Sequence, residues 1–330
     1  MIKKRIKKIQ KKIDKIIGFL ISPFFRLFAK SLYCIVNIEG GRASQLEQYT
    51  MGQLIKESGN NVFYDTSAYV NGKSLDVLGE NARNFDLNKL DKNIRIEQLS
   101  ERTIKFYRKF FRYSEEFDKC KALNSHSEII SPIYLGGYGY GFYSEREFEL
   151  VYQKCIKIDY DDELFGIENK RMLGKIIQSE KSVGMHVRRG DTLLPYVGRP
   201  IPKKEYYLKA LSYFDDETDI YIFSDDMKWV EEELFPYIDE NQRCTKVELN
   251  GADKGWCDLI LMANCKNQIK SPSGGMGREA YRLNANKDKI LVMPVLVPGN
   301  NCEMLGNIIE IILDDTLCDM SNVNSYRIRL

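Results

Sequence analysis

Short apolar segments alternate with amphipathic segments along most of the chain, as expected for strands that alternate with helices. Strands are predicted at 32–38, 61–65, 133–135, 183–187, 219–223, 268–270 and 290–293. Helices are predicted to end near residue 56, to begin after Ser144, and to cover 102–112, 168–180, 204–214, 227–234, 256–263, 278–283 and 303–313. This alternation of strands and helices occurs before about residue 165 and again after it. It predicts an α/β protein with two Rossmann-like domains, 31–165 and 166–330, that face a cleft.

The first thirty residues form a separate segment with a pattern of their own. Four isoleucines recur every three or four residues and place one narrow apolar stripe on a lysine-rich helix: Ile2, Ile6, Ile9 and Ile13. The apolar part that follows is interrupted by Pro23 and Arg26, which makes it short for a membrane-spanning helix. The pattern favours an amphipathic segment in the plane of an anionic membrane, with a signal sequence or a partner-binding helix as alternatives.

The charge balance separates this segment from the rest of the chain. Residues 1–30 carry ten Lys or Arg and one acid, which gives this segment a net charge of +9. The whole chain has a net charge of +2, so the remainder carries −7. A mildly acidic body argues against nucleic acid as the main partner. The eight cysteines show no C-x-x-C pair and no metal-ligand spacing. We therefore expect reduced thiols, no metal site, and a cytoplasmic protein that lies peripherally on the inner face of the cell membrane.

The strongest candidate for a binding site follows the predicted strand 183–187. Arg188, Arg189, Gly190 and Asp191 come directly after it, where open α/β sheets place their ligand-binding residues. Paired guanidinium groups suit an anionic ligand such as a phosphate. A surface strand end with a solvated cluster of arginines and aspartate is the alternative.

Two further loops have the composition of an anion site. The loop 271–277 carries Ser271, Ser273 and three glycines before a helix, so hydroxyl and free N–H groups could meet an anion there. Gly40 and Gly41 lie between a strand and a helix, either near a ligand or simply as a turn. Together, the loops 186–191 and 271–277 predict a diphosphate site and a nucleotide-linked donor.

Two other segments leave alternatives open. Asp225 and Asp226 follow a strand, and we favour capping of the next helix over metal ligation. The segment 136–143 alternates glycine with aromatic residues, which suits either stacking against a sugar or an ordinary packed loop.

At these positions the chain resembles the α-1,2-fucosyltransferases, glycosyltransferase family 11. His186–Asp191 resembles their H-x-R-R-G-D motif, and Gly40–Tyr49 resembles their opening G-G-L-G-N-Q-M-F-Q-Y. Ser224-Asp225-Asp226 also falls where the family has such residues. The chain departs from the family at Ser271–Gly277, which lacks the usual tryptophan pair. The resemblance covers about 32–295.

This resemblance implies a GT-B-like fold and inverting, metal-independent transfer of L-fucose from GDP-β-L-fucose to a galactoside-type glycan. The linkage would be α-1,2, the setting surface polysaccharide (O-antigen or capsule) synthesis, and the acceptor possibly lipid-linked. Domain 31–165 would hold the acceptor and 166–330 the donor.

The resemblance also implies a role for each site residue. Arg188 would contact the pyrophosphate, with Arg189 and Asp191 shaping its pocket. The other substrate-binding residues would be His186 and Asp258 near the guanine, Ser271 and Ser273 on phosphate oxygens, and Gly40, Gly41 and Gln45 in the first domain. Asp191 and Glu39 are the candidates for a general base, unless the departing phosphate takes the proton.

Two other functions fit the same features. One is a transferase of this fold that uses another nucleotide sugar or makes another linkage. The other is a membrane-associated binding protein without catalytic activity, which the substituted loops 42–44 and 274–277 would allow.

Overall fold

The computed structural model of the chain describes residues 2–28, 32–69, 73–75, 82–113, 129, 131–136, 144–194, 198–238, 243–251, 253–296 and 306–321. The chain divides into two compact units. The first comprises Met1–Leu87 and Asn93–Cys155, and the second comprises Asn88–Lys92 and Ile156–Leu330. The division along the chain falls after Cys155, whereas the sequence places the domain boundary at 165.

The described residues form alternating helices and strands. The helices are α1 (Ile2–Phe28), α2 (Arg42–Glu57), α3 (Leu87–Leu90), α4 (Glu101–Phe110), α5 (Glu145–Cys155), α6 (Asp162–Phe165), α7 (Ile167–Gln178), α8 (Lys204–Leu211), α9 (Met227–Trp229), α10 (Gly255–Ala263) and α11 (Met276–Leu283). The strands are β1 (Cys34–Asn37), β2 (Val62–Asp65), β3 (Lys73–Leu75), β4 (Ala82–Asn84), β5 (Arg112–Tyr113), β6 (Ile133–Leu135), β7 (Ser182–Val187), β8 (Ile201–Pro202), β9 (Asp219–Ser224), β10 (Cys244–Lys246), β11 (Asn267–Ile269), β12 (Ile290–Val295), β13 (Asn307–Ile312) and β14 (Cys318–Asp319). Gly190–Leu193 and Phe235–Tyr237 are 3-10 turns, and Val230–Leu234 is a π turn.

The first unit is built on a four-stranded sheet in the order β2-β1-β6-β5, with all pairs parallel. All four residues of β1 are buried, as expected for a strand that is covered on both faces. Ser144 caps α5, because its Oγ accepts the Glu147 N–H at 3.2 Å while Glu147 Oε2 accepts the Ser144 N–H at 3.1 Å. The predicted start of a helix after Ser144 is therefore confirmed.

Helix α1 is a single helix that continues through Pro23 and packs on α4 of the first unit. The Phe25 ring lies 5.3 Å from the Phe111 ring and 5.7 Å from the Phe106 ring, measured between centroids. At Gly18 the two backbones meet so closely that a Cβ would overlap the Phe110 carbonyl group. One face of α1 is therefore part of the packing of the first unit. Among the described residues, no helix is both long enough and apolar enough to cross a bilayer.

The second unit is built on a six-stranded sheet in the order β10-β9-β7-β11-β12-β13, again with all pairs parallel. Numbered by their order in the chain, these strands read 3-2-1-4-5-6, the order of a doubly wound Rossmann sheet. All six residues of β7 are buried, and Met185 and Val187 pack in the core with Ile222 and Ile269. The predicted α/β class, with a parallel sheet in each of two domains, is confirmed. That the two domains face a cleft stays a prediction.

The predicted helix 303–313 is wrong, because its described part forms the edge strand β13. Four isoleucines lie in Asn307–Ile312, and every residue of this strand pairs in register with β12. The spacing of the isoleucines also suits a helix, but their branched Cβ atoms favour an extended backbone. Gly306, with a φ of 111°, turns the chain before the strand.

Candidate functional site

The centre of the candidate site is the point where the second sheet changes direction. After β7 the chain moves to β9 on one side, and it later returns to β11 on the other side. Arg188 follows β7, Asp225 follows β9 and Ser271 lies just beyond β11, so all three lie at the carboxyl edge of the sheet. In sheets of this order, ligands bind outside the carboxyl ends at this switch point.

Two carboxylates hold the Arg188 guanidinium. Its Nη2 lies 2.6 Å from Asp191 Oδ1, and its Nη1 lies 2.6 Å from Asp225 Oδ2. Asp191 reaches this position because the chain folds into a 3-10 turn directly after Arg189. Glycine suits position 190 of that turn, since a Cβ there would overlap the Asp225 carboxylate unless the turn or the carboxylate shifted. Asp191 therefore holds an arginine in place, and Arg188 remains about one third exposed.

Arg189 forms hydrogen bonds to other groups of the protein through its backbone and its side chain. Its backbone N–H donates to Asp225 Oδ1 at 2.8 Å, its Nε to Asp226 Oδ2 at 3.3 Å, and its Nη1 to the Pro202 carbonyl at 2.9 Å. The guanidinium also lies 4.1 Å from the centroid of the Trp229 ring. These contacts fit the predicted role of shaping the pocket, because they fix the backbone that carries Arg188.

The loop after β11 is joined to the backbone of Arg188 by two serine hydroxyl groups. The Arg188 N–H donates to Ser271 Oγ at 3.2 Å, and Ser273 Oγ donates to the Arg188 carbonyl at 3.2 Å. Ser271 is fully buried and also lies 3.1 Å from the Tyr207 hydroxyl. These bonds brace the loop against Arg188. For both Ser271 and Ser273, contact with phosphate oxygens stays a prediction.

His186 lies beneath this loop as a neutral imidazole. Burial, together with the nearby charges of Arg188 and Lys270, lowers its pKa to about 3. Its Nδ1 is buried without a hydrogen-bond partner among the described residues. The loop passes so close that a Cβ at Gly274 would lie 2.5 Å from His186 Cε1. An unpaired ring nitrogen beside Arg188 is a feature that a ligand could use.

Asp258 lies in the first turn of α10, at the same edge of the sheet. Its Oδ1 accepts a hydrogen bond from Asn250 Nδ2 at 2.7 Å, and the Asn250 and Asn169 amides bond to each other at 2.9 Å. The amides hold the carboxylate in place, and its contact with guanine stays a prediction.

The remaining predicted residues lie in the first unit. Gly40 has a φ of 88°, which favours glycine, and its carbonyl accepts the Tyr69 hydroxyl at 2.8 Å. Gln45 is fully buried; its Nε2 donates to the Asn84 carbonyl at 2.8 Å, and its Oε1 accepts the Asp86 N–H at 2.9 Å. Gln45 therefore braces the chain around Asn84 and Asp86, and its contact with a substrate stays a prediction. Gly41 precedes α2 and stays a predicted substrate-binding residue.

Two residues of the candidate site in the second unit were not predicted from the sequence. Asp225 was interpreted as a helix cap, but Asp226 fills that role by accepting the Trp229 N–H at 3.2 Å, and Asp225 holds Arg188. The sequence shows only that Asp225 follows a predicted strand, and the pairing of that strand with β7 is what brings it to Arg188. Lys270 is buried next to the site without an acidic partner among the described residues. Within the described part of the chain, no group of three His, Cys, Asp or Glu is arranged to hold a metal ion.

The segment 137–143 of the glycine-aromatic loop lies outside the described residues, so stacking on a sugar stays a prediction.

Comparison with known proteins agrees with the motifs. The model of the family described as "Glycosyl transferase family 11" matches residues 77–295. The O-antigen biosynthesis glycosyltransferase WbnK of Escherichia coli is 33% identical over 141 residues, which cover 38% of this chain and 42% of that relative. The match thus spans less than half the length of this curated relative.

Two solved structures are similar at lower identity. Fucosyltransferase NodZ from Bradyrhizobium is 15% identical, with 76% of this chain and 92% of that chain covered and a TM-score of 0.45. POFUT1 in complex with GDP-fucose is 11% identical, with 77% and 94% covered and a TM-score of 0.43.

Proposed function

The chain belongs to glycosyl transferase family 11, as its motifs predicted, and we propose that it transfers L-fucose from GDP-β-L-fucose to a galactoside-type glycan in an α-1,2 linkage. The proposal rests on one observation above all, that Arg188 of the family motif lies at the switch point of a Rossmann sheet. The matched relative is named for O-antigen biosynthesis, which supports a role in surface polysaccharide synthesis. The second unit would bind the donor, and the first unit would bind the acceptor.

In the proposed reaction, Arg188 stabilises the leaving group. Negative charge builds on GDP as the bond between fucose and phosphate breaks, and a guanidinium fixed beforehand stabilises that charge without reorganising. The carboxylates of Asp191 and Asp225 provide this fixation, since each lies 2.6 Å from one terminal nitrogen of Arg188. No step of this scheme requires a metal ion.

The acceptor hydroxyl must lose its proton during inverting transfer. Asp191 is weakened as a base because its carboxylate is paired with Arg188, so we assign it a positioning role. Glu39 in the first unit remains a candidate base, and the departing phosphate is the other acceptor for the proton.

We further propose that α1 attaches the enzyme to the cytoplasmic face of the membrane, where a lipid-linked acceptor would be found. A second row of α1 residues, opposite the row that packs on α4, is apolar and exposed: Ile9, Ile13, Ile16, Leu20, Phe24 and Leu27. Lys11, Lys12 and Lys15 lie on the same helix. An exposed apolar row on a lysine-rich helix suits the surface of an anionic leaflet.

Donor binding tests the proposal. The thermal unfolding midpoint is measured with GDP, GDP-fucose, GDP-mannose, UDP-glucose and CMP-sialic acid, on the wild type, Arg188→Ala and Arg171→Ala. Arg171 is an exposed arginine of α7 paired with Glu168, and it serves as the matched control. A ligand that binds the folded state raises the midpoint, so GDP and GDP-fucose should stabilise the wild type and the control but not Arg188→Ala.

The other outcomes separate the alternatives. Stabilisation by another nucleotide sugar would keep the fold and the site but replace the donor. A wild type that responds to none of the five ligands would favour a binding protein without catalytic activity.

A further inference from the structure

Lys270 is a buried lysine whose hydrogen bonds are incomplete. Its side chain follows β11, the residue is 4% exposed, and its Nζ donates to the Ser271 carbonyl at 3.2 Å. Lys289, another buried lysine of the same unit, is different. Its Nζ donates to the carbonyls of Tyr281 and Asn284, both at 2.7 Å, and lies 4.5 Å from the centroid of the Tyr281 ring. Two carbonyl groups accept hydrogen bonds from Lys289 Nζ, whereas Lys270 Nζ has one such acceptor among the described residues and could donate to others.

The neighbour of Lys270 across the sheet is His186. Ile269 pairs with Met185 in the register of β11 and β7, so the next residues of the two strands lie side by side. Ile269 and Met185 point into one core, and Lys270 and His186 therefore project from the opposite face. In the described part of the chain, His186 Nδ1 has no hydrogen-bond partner. Two buried basic side chains thus lie together with unused hydrogen-bonding capacity.

The start of α11 lies against the same pair. The helix begins at Met276, and the residue before it, Gly275, makes no side-chain cap. Gly277 packs on the backbone of Lys270 so closely that a Cβ would lie 2.7 Å from Lys270 Cα. Helix starts offer free N–H groups and a partial positive charge to anions. Three cationic or donating features therefore converge beneath the loop 271–275.

The charges that act on this pair are also cationic. Arg188 and Lys270 act on His186, and Arg199 acts on Lys270. Arg199 is held at the loop by donating from Nη1 to the Ser273 carbonyl at 2.6 Å. His186 is neutral, and Arg188 is already paired with Asp191 and Asp225. Arg199 and a protonated Lys270 are therefore the groups whose charge would favour an anion here.

We propose that Lys270, His186 and the start of α11 form a site for one phosphate group, and that Lys270 takes up a proton from the solvent when the phosphate binds. In the context of the proposed function, on which this inference rests, the phosphate is one of the two in the GDP part of the donor. His186 would then contact this phosphate, whereas the family resemblance implies a contact with the guanine. The proton is taken from water or buffer and is bound at Nζ, so no other reactant is needed.

Proton uptake follows from the state of Lys270 before binding. Burial, and secondarily the charge of Arg199, lowers the pKa of Lys270 to about 7. At pH 8 most Lys270 side chains are therefore neutral in the free protein. A phosphate dianion close to Nζ favours the charged form and raises this pKa, so binding at pH 8 should draw in a proton.

Calorimetric titration at pH 8, in two buffers with different ionisation enthalpies, measures affinity and proton uptake together. The ligands are GDP, inorganic pyrophosphate and guanosine, and the proteins are the wild type, Lys270→Met, Lys270→Arg and Lys289→Met. We expect Lys270→Met to bind GDP and pyrophosphate roughly tenfold more weakly, the effect of losing one hydrogen bond to a charged group. Guanosine binding should not change, and proton uptake should be lost.

The other two variants separate the loss of proton uptake at Lys270 from a general effect on folding. Lys270→Arg keeps a permanent charge, so it should bind pyrophosphate but take up no proton at position 270. Lys289→Met should keep both the affinity and the proton uptake of the wild type. If Lys270→Met does not fold, Lys270→Arg carries the test alone. Proton uptake that persists in Lys270→Arg, or wild-type affinity for pyrophosphate in Lys270→Met, would overturn the inference.

Failure of this inference is distinct from failure of the proposed function. Lys270-dependent binding of pyrophosphate without turnover of GDP-fucose would remove the fucosyl assignment and keep the phosphate site. Equal turnover of GDP-fucose by Lys270→Met and the wild type would keep the fucosyl assignment and remove the phosphate site at Lys270.

Discussion

The Arg188 guanidinium and the Asp225 carboxylate are 2.6 Å apart, although they follow different strands of the second sheet. The other oxygen of Asp225 accepts the Arg189 N–H at 2.8 Å. One carboxylate therefore fixes both the backbone and the side chain of the arginine motif. Since β7 and β9 are parallel neighbours, their carboxyl ends bring the two residues together.

Asp225→Asn should weaken donor binding. The asparagine amide would turn a donor toward the Arg188 guanidinium or lose the bond to Arg189, and either arrangement leaves Arg188 free to move. We expect GDP affinity to fall by about tenfold and unfolding stability by about 1–3 kcal/mol. Calorimetric titration with GDP measures the first effect, with Asp216→Asn, an exposed aspartate of the same unit, as the control. Unchanged GDP affinity in Asp225→Asn would show that Asp225 does not position Arg188.

Gly190→Ala should disturb the contact between Arg188 and Asp225. A Cβ at this position would overlap the Asp225 carboxylate, so the turn or the carboxylate must shift. Gly174→Ala is the control, because it lies inside α7 and its Cβ would meet nothing within 4 Å. We expect the control to gain about 0.5–1 kcal/mol of unfolding stability, as alanine does in helix interiors. Denaturant unfolding and GDP titration should show losses for Gly190→Ala alone; a Gly190→Ala protein equal to the wild type in both would contradict the tight contact.

The stability of the second unit should depend on pH through Lys270. Its pKa is about 7 in the folded chain and near the ordinary 10.5 when unfolded. Between these values the unfolded chain binds more protons, so stability rises with pH from 7 toward 10.5, by up to about 1.4 kcal/mol per pH unit. The cost of burying this lysine is largest below pH 7. We therefore expect Lys270→Met to be more stable than the wild type at pH 7 and to approach it at pH 10.

Denaturant unfolding at pH 6–10 measures this difference between the two proteins. Lys289→Met should instead be less stable than the wild type, because it loses two hydrogen bonds to carbonyl groups. A stability difference between Lys270→Met and the wild type that does not vary with pH would mean that Lys270 stays charged in the folded chain.

Binding to membranes should depend on the exposed row of α1. Substituting Ile16 and Leu20, which are 56% and 61% exposed, by serine removes apolar surface without touching the face that packs on α4. We expect flotation with vesicles of anionic lipid to fall several-fold, and wild-type binding to weaken with salt. Leu150→Ser, at an exposed leucine of α5, is the control. Point variants are preferable to deletion of α1, because deletion would uncover the aromatic rings that pack against Phe25.

Equal flotation of the double variant and the wild type would remove the membrane proposal. It would then favour a partner protein for the exposed row of α1.

The strands and the main site could be predicted because their signals are local. Val183–Val187 is an apolar run followed by charged residues, and the carboxyl edge of a parallel sheet is a known place for ligands. The pairing of Arg188 with Asp225 could not be predicted, because it depends on which strands are neighbours. The burial of Gln45 in α2 and of Ser271 could not be predicted for a similar reason, since a polar residue in or beside a glycine-rich loop can bind either a ligand or the backbone of the protein.

The other errors have equally physical causes. In Asn307–Ile312 the isoleucine spacing fits a helix and a strand alike, and pairing with β12 decides between them. Nothing in the sequence indicates that Lys270 is buried, because a lysine beside a loop is usually exposed. Its burial follows from Gly277, whose missing side chain allows α11 to approach the end of β11.

The most direct test of the central claim is a transfer reaction. Purified protein is incubated with GDP-fucose and a β-galactoside acceptor, and the product is analysed by NMR for the anomer and the carbon that carries the fucose. The proposed function predicts an α-fucoside on O2 of galactose from the wild type, and a rate at least tenfold lower from Arg188→Ala. Stabilisation by GDP-fucose without any product, or an equal rate in Arg188→Ala, would contradict it.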